Sequence, residues 1–130
     1  MSIIGQTHIG IFVSDLDRSC DFYHDVLQFE VLWKGELDDP EGPVKVAELK
    51  NNDLILELVR LYNYENRPHP GTVDHIAVKT DDVYAEFQRM KSLGYQPLSE
   101  DVVVDEAIFG RGGKWFFILG PDGERIEIAQ

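Results

Sequence analysis

The stretch His8-Ile-Gly-Ile-Phe-Val-Ser-Asp-Leu-Asp17 returns later in the chain as His75-Ile-Ala-Val-Lys-Thr-Asp-Asp-Val-Tyr84. The offset between the two histidines is 75 − 8 = 67 residues. Each copy is followed by an apolar strand pattern with one glutamate at its centre, first Leu56-Glu57-Leu58 and then Ile126-Glu127-Ile128. A period close to half of the 130-residue chain indicates two similar structural units, which is too few for a solenoid.

Both copies predict the same order of elements. A strand pattern leads into an amphipathic helix, with Ser14 as the expected N-cap of the first helix and Asp81 or Asp82 at the start of the second. Apolar residues at helical spacing form a stripe in each helix: Leu16, Cys20, Tyr23 and Leu27, then Val83, Phe87 and Met90. Three strand patterns complete each half, so each half reads β-α-β-β-β.

We therefore predict an α+β fold made of two βαβββ modules related by pseudo-twofold symmetry. A chain of 130 residues has the length of one domain, so we expect a single domain over residues 1–130. Module 1 is expected at about 3–60, a proline-containing linker at about 61–72 and module 2 at about 73–130. The run Asp38–Pro43 is expected to be a solvated, turn-rich loop.

Strand alternation places the repeated polar residues on one face. Successive side chains of a strand point to opposite faces, so Leu56 and Leu58 are expected to meet the helix while Glu57 points away from it. The same alternation applies to Glu127 and to the two histidines. The sequence therefore predicts one site with four metal-type ligands, two from each half: His8, Glu57, His75 and Glu127.

Two imidazoles and two carboxylates suit a divalent first-row transition metal. This ligand set is of intermediate softness, and its charge of −2 balances a divalent cation. Two glutamates brought close together without a cation would repel each other. Ni, Co, Zn, Mn and Fe all tolerate such a set, so the sequence leaves the metal open.

Charge and cysteine content exclude several functions. The net charge of −12 disfavours nonspecific binding to nucleic acid or to an anionic membrane, because phosphates would be repelled. The single cysteine, Cys20, cannot form an intrachain disulfide, which predicts a reducing, cytoplasmic location. The start of the chain shows no secretory leader pattern, and no apolar run is long enough for a membrane span.

The paired His and Glu positions resemble the vicinal oxygen chelate superfamily, which includes glyoxalase I, methylmalonyl-CoA epimerase, extradiol dioxygenases and bleomycin resistance proteins. The segments Asp15–Leu27 and Asp74–Val78 and the ending Gly-Pro-Asp-Gly-Glu-Arg-Ile-Glu-Ile carry the resemblance, which covers essentially the whole chain. It implies an incomplete barrel around a metal site, usually in a homodimer. The order His, Glu, His, Glu is most similar to lactoylglutathione lyase.

The resemblance implies a metal-dependent lyase or isomerase that acts on a small-molecule substrate, in some members a thiol adduct. The expected step is proton transfer next to a carbonyl, through an enediolate bound to the metal. Glu127 is the preferred catalytic base, and Glu57 is the alternative. Two other functions stay open: a small-molecule binding or resistance protein, and an enzyme similar to methylmalonyl-CoA epimerase.

Substrate contacts are predicted from aromatic and basic residues near these ligands. The candidates are Phe12, Trp33, Phe109, Arg111 and Lys114, and Trp115 is interpreted as a core residue that could also line the pocket. Lactoylglutathione lyases of this type carry an arginine and an asparagine four residues after the first and second ligands. This chain has Phe12 and Leu61 there, so the sequence leaves the thiol carrier open.

Overall fold

The computed structural model describes residues 7–66 and 75–130, apart from the side chains of Asp39, Asn66 and Phe109. The chain divides into two compact units, Met1–Pro70 and Gly71–Gln130. Residues 67–72 of the predicted linker lie outside the described residues. Within the described ranges, no helix is long and apolar enough to cross a membrane.

The first unit contains one helix and a mixed four-stranded sheet. Its elements are β1 (Ile9–Phe12), α1 (Leu16–Asp25), β2 (Glu30–Asp39), β3 (Gly42–Asn51) and β4 (Leu54–Arg60). The strand order is β1-β4-β3-β2, in which β1 is parallel to β4 and the other neighbours are antiparallel. A single turn of 3-10 helix follows at Tyr64–Asn66.

The second unit repeats this arrangement. Its elements are β5 (Ile76–Lys79), α2 (Val83–Ser92), β6 (Val103–Asp105), β7 (Gly113–Leu119) and β8 (Arg125–Ala129), with a 3-10 turn at Ile108–Gly110. The strand order is β5-β8-β7-β6, and β5 is parallel to β8. The predicted α+β class and the βαβββ order of each module are thus confirmed.

Helix α1, in the first unit, begins one residue later than predicted. Asp15 is the N-cap of α1, and its carboxylate accepts a hydrogen bond from the Arg18 backbone N–H at 3.0 Å. Ser14 is not the cap, because its hydroxyl accepts a hydrogen bond from the Arg18 guanidinium at 2.8 Å. Asp82 caps α2 by the matching contact with the Ala85 N–H, also at 3.0 Å.

The run Asp38–Pro43, predicted as a loop, lies largely in a long hairpin. The pairs Asp38 with Pro43 and Asp39 with Gly42 continue the β2–β3 ladder almost to its tip. Gly42 has a φ of +137°, and a Cβ at this position would lie 2.4 Å from Cγ of Tyr62. Pairing therefore continues here because glycine tolerates both this backbone angle and the close approach of the ring.

Each helix covers the apolar face of its own sheet. The predicted stripes of α1 and α2 are buried, with Tyr23, Val83 and Met90 fully so. On the sheets, Leu56, Leu58 and Ile126 are 0% exposed and Ile128 is 2% exposed. The faces that carry Glu57 and Glu127 are turned away from these cores.

Leu56 and Ile126 occupy corresponding places in the two cores, so Leu56→Ala and Ile126→Ala should each destabilise the protein strongly. We expect the free energy of unfolding to fall by about 2–5 kcal/mol, since each change removes packed methyl groups and leaves a cavity. Urea denaturation followed by circular dichroism measures this. Leu37→Ala is the matched control, because Leu37 is 55% exposed and its truncation should change little.

Candidate metal centre

His8 and Glu57 form the first candidate ligand pair. His8 Nε2 lies 3.5 Å from Glu57 Oε2, and the two side chains are 39% and 35% exposed. The hydroxyl oxygen of Thr7 lies 3.3 Å from His8 Nδ1, on the other side of the ring. The contact is made at the ring nitrogen that does not face Glu57.

Glu48 adds a second carboxylate to the same face of this unit. It lies directly opposite Glu57 in the β3–β4 ladder and is exposed. Like charges at directly opposite positions of a sheet repel each other. A cation bound by Glu57 would relieve that repulsion, so the electrostatics of this face favour a bound cation.

His75 and Glu127 form the second candidate pair, which is closer and more enclosed. The distance from His75 Nε2 to Glu127 Oε2 is 2.9 Å, and Glu127 is only 19% exposed. The ring of His75 meets Phe117 edge-on, with centroids 5.2 Å apart and planes at 88°. Phe117 lies directly opposite Glu127, and the Arg125 guanidinium carbon lies 4.3 Å from the centroid of the Phe117 ring. The aromatic ring therefore orients this pair.

The two pairs arise from the same strand register. Glu57 lies beside Gly10 in the parallel β1–β4 pair, and Glu127 lies beside Ala77 in the parallel β5–β8 pair. Each histidine comes two residues before that neighbour and so shares the face of its glutamate. The same backbone arrangement thus presents one imidazole nitrogen and one carboxylate oxygen in both units.

The distances within the pairs suit a shared cation. Ligand atoms about 2.1 Å from a metal lie roughly 3.0 Å apart at a right angle and roughly 3.4 Å apart at the tetrahedral angle. The observed separations of 2.9 Å and 3.5 Å are those of imidazole–carboxylate ion pairs and are also close to these two values. In neither unit taken by itself do the described residues bring three or more His, Cys, Asp or Glu together as a metal site. Each unit by itself therefore offers two candidate donors.

A cavity of about 450 Å³ in the second unit lies beside Glu127, and we call it the Trp115 pocket. Its lining comes from β5, β7, β8 and the loop before β7: Ala77, Val78, Lys79, Arg111, Gly112, Gly113, Lys114, Trp115, Glu127, Ala129 and Gln130. Small residues at Ala77, Gly113 and Ala129 leave this part of the sheet face open. The candidate base therefore lies at the side of a cavity large enough for a small organic molecule.

The predicted substrate-binding residues lie in several places. Arg111 and Lys114 line the Trp115 pocket, and Trp115, interpreted mainly as core, lines it too. Phe12 lies half-buried in β1, and Trp33 lies on β2 with half of its side chain exposed and its ring over Gly35. The side chain of Phe109 lies outside the described part of the structure. For all five predicted residues, Phe12, Trp33, Phe109, Arg111 and Lys114, substrate contact stays a prediction.

Sequence reasoning missed three residues on the faces that carry the ligands. Glu48 and Phe117 lie opposite Glu57 and Glu127, and Lys79 lies in the Trp115 pocket. Lys79 and the histidine four residues before it share a strand face, so alternation alone was a usable signal. The positions of Glu48 and Phe117 depend on strand register, which no local pattern specified.

Comparison with known proteins places this arrangement in a family. Residues 5–128 match the profile of the glyoxalase/bleomycin resistance protein/dioxygenase superfamily. The chain is 33% identical to the uncharacterized protein YwbC of Bacillus subtilis, over 95% of this chain and 94% of that protein. It is 32% identical to lactoylglutathione lyase of Haemophilus influenzae, over 95% of this chain and 90% of the enzyme.

A solved structure extends the similarity to three dimensions. The trypanothione-dependent glyoxalase I of Leishmania major superposes with a TM-score of 0.70 at 30% identity, covering 93% of this chain and 82% of that enzyme. The matched profile spans both His–Glu pairs and nearly the whole length. The chain therefore belongs to the glyoxalase/bleomycin resistance protein/dioxygenase superfamily.

Proposed function

We propose that this protein is a divalent-metal-dependent lyase or isomerase of the glyoxalase type. Its substrate would be the adduct of a 2-oxoaldehyde with a thiol, which it would convert to a 2-hydroxy thioester. One observation carries the proposal: a His–Glu pair at ligand distance occurs at the same register in both units. Relatives at about 30% identity that are named lactoylglutathione lyase support the reaction class.

The two pairs would together hold one divalent transition metal ion, whether they come from one chain or from two chains of a homodimer. The proposed ligands are His8, Glu57, His75 and Glu127. The match between the spacing of their donor atoms and ordinary coordination geometry supports this assignment. When bound, the cation would supply stabilisation of the negative charge that develops on the substrate oxygens.

Glu127 is the proposed base. It would take the proton from the carbon that bears sulfur and return it to the neighbouring carbonyl carbon, while the hydroxyl proton passes from the first oxygen to the second, so that the overall composition is unchanged. Glu127 lines the Trp115 pocket and is less exposed than Glu57. Glu57 is the alternative.

We further propose a reducing, cytoplasmic location. Cys20 is 3% exposed, and burial raises the pKa of its thiol. A thiol held neutral inside the core is a poor nucleophile and resists oxidation.

Metal content tests the ligand assignment. The purified protein should carry about one transition metal ion per chain, and His75→Ala should lower that content strongly because it removes one nitrogen donor. Elemental analysis by mass spectrometry measures both. His24→Ala is the matched control, since His24 lies at the end of α1, 62% exposed. A metal-free wild-type protein that binds an aromatic drug would instead place it among the binding members of the superfamily.

Substitution of the two glutamates tests the catalytic assignment. Glu127→Gln should reduce kcat for methylglyoxal–thiol adducts by about 10²–10⁴-fold, because the amide cannot accept the proton. Initial-rate assays of thioester formation measure kcat. The metal content of each variant is determined alongside. Glu48→Gln serves as the control, because it removes a nearby charge outside the proposed ligand set. Near-normal rates in both Glu127→Gln and Glu57→Gln would refute the proposal.

A further inference from the structure

The Trp115 pocket has a cation at the end away from Glu127. Lys79 lies beside Ala129 in the β5–β8 pair, two residues along β8 from Glu127. Two residues of strand span about 7 Å. Lys79 shares the strand face of His75 and Ala77, which is the face that carries Glu127. The pocket therefore has the strand position of a carboxylate at one end and that of a lysine two residues further along the sheet.

The floor and wall between these two charges are apolar. Ala77 and Ala129 form the floor, because a larger side chain at either position would fill the space. Trp115 lies opposite Ala129 in the β7–β8 ladder and contributes the wall. Such a channel fits a short aliphatic chain, and the aromatic wall adds contact area without much loss of conformational freedom.

Lys79 is the cation best placed to meet a ligand. Within the described part of the chain, its side chain forms no hydrogen bond, ion pair or ring contact. The ammonium group of Lys114, in contrast, lies 5.5 Å from the centroid of the Tyr84 ring, which belongs to α2. Lys114 thus points to the helix face of the sheet.

Basic residues at the Trp115 pocket contrast with the acidic composition of the chain. The chain carries 24 acidic and 12 basic residues, yet the residues that line the Trp115 pocket include one acidic residue, Glu127, beside Lys79 and Arg111, while the Lys114 side chain is directed at α2. The acidic residues Asp105 and Glu106 line an adjoining cavity of about 370 Å³, which shares Arg111, Gly112, Gly113, Lys114 and Gln130 with the Trp115 pocket. Asp105 also accepts hydrogen bonds from the Ala107 and Ile108 backbone N–H groups, at 2.8 and 3.0 Å.

We propose that Lys79 determines substrate specificity by binding an anionic group, a carboxylate or a phosphate, on the part of the substrate that lies beyond Ala77 and Ala129 from Glu127. The inference rests on the proposed function in that it takes Glu127 to mark the reacting end. It selects substrates whose carrier is a short aliphatic chain with a terminal negative charge. Lys79 is exposed, so a neutral carrier of the same length would leave its ammonium group in water and would lack the charge-assisted contact that an anion gains.

A binding experiment tests this without turnover. Isothermal titration calorimetry of the full chain measures the dissociation constants directly. The probes are 3-(methylthio)propionate, 2-(methylthio)ethyl phosphate and the uncharged methyl ester of the first. At least one anion should bind about tenfold or more tightly than the ester. The ratio between the two anions identifies the group that Lys79 prefers.

Three variants assign that preference to Lys79. Lys79→Met should abolish the preference for the anion, and Lys79→Arg should keep most of it. Lys50→Met removes the same charge from an exposed position on β3 and should keep the preference in full. Equal binding of anions and ester, or an unchanged preference in Lys79→Met, would overturn the inference.

A kinetic arm separates this inference from the proposed function. With methylglyoxal adducts of 3-mercaptopropionate and of its methyl ester, Lys79→Met should raise KM about tenfold for the acid and leave kcat nearly unchanged. If KM and kcat of Lys79→Met equal those of the wild type for both adducts, the inference is overturned and the proposed function stays intact. Anion binding that depends on Lys79 in a protein without lyase activity would refute the proposed function alone.

Discussion

The register of the parallel strand pairs, β1 with β4 and β5 with β8, is the constraint on which the candidate site depends. A slip of one residue would turn Glu57 or Glu127 toward the helix and bring core leucines or isoleucines to the open face. An unpaired carboxylate in that core would be very costly. The burial of Leu56, Leu58, Ile126 and Ile128 therefore also fixes the direction of both carboxylates, so fold stability and donor placement have one cause.

The two units share a backbone plan but differ in what surrounds their donors. Glu57 has a second carboxylate, Glu48, directly across the sheet, while Glu127 has the ring of Phe117 at the corresponding position. The first pair is therefore the more acidic and exposed, and the second the more enclosed and aromatic. This difference suits a division in which the first unit mainly binds a cation and the second also contacts the substrate.

The sequence predicted those features that appear as a regular spacing of buried apolar residues within one helix or strand. The helix stripes, the βαβββ order and the outward direction of Glu57 all follow from apolar spacing. The N-cap was misassigned because Ser14 and Asp15 are both good capping residues, although the matching contact of Asp82 at the repeat offset distinguishes them. The pairing of β1 with β4 is a long-range contact without a local signal, and the Trp115 pocket exists because side chains at Ala77 and Ala129 are small.

The central claim is that imidazole and carboxylate groups of both repeats bind one metal ion. An anomalous-difference map from crystals of the purified protein, collected at the absorption edge of its metal, tests it most directly. The account predicts a peak about 2.0–2.2 Å from the Nε2 atoms of His8 and His75 and from carboxylate oxygens of Glu57 and Glu127. A metal peak bound by other residues, or His–Glu pairs that remain metal-free in crystals grown with added metal, would contradict it.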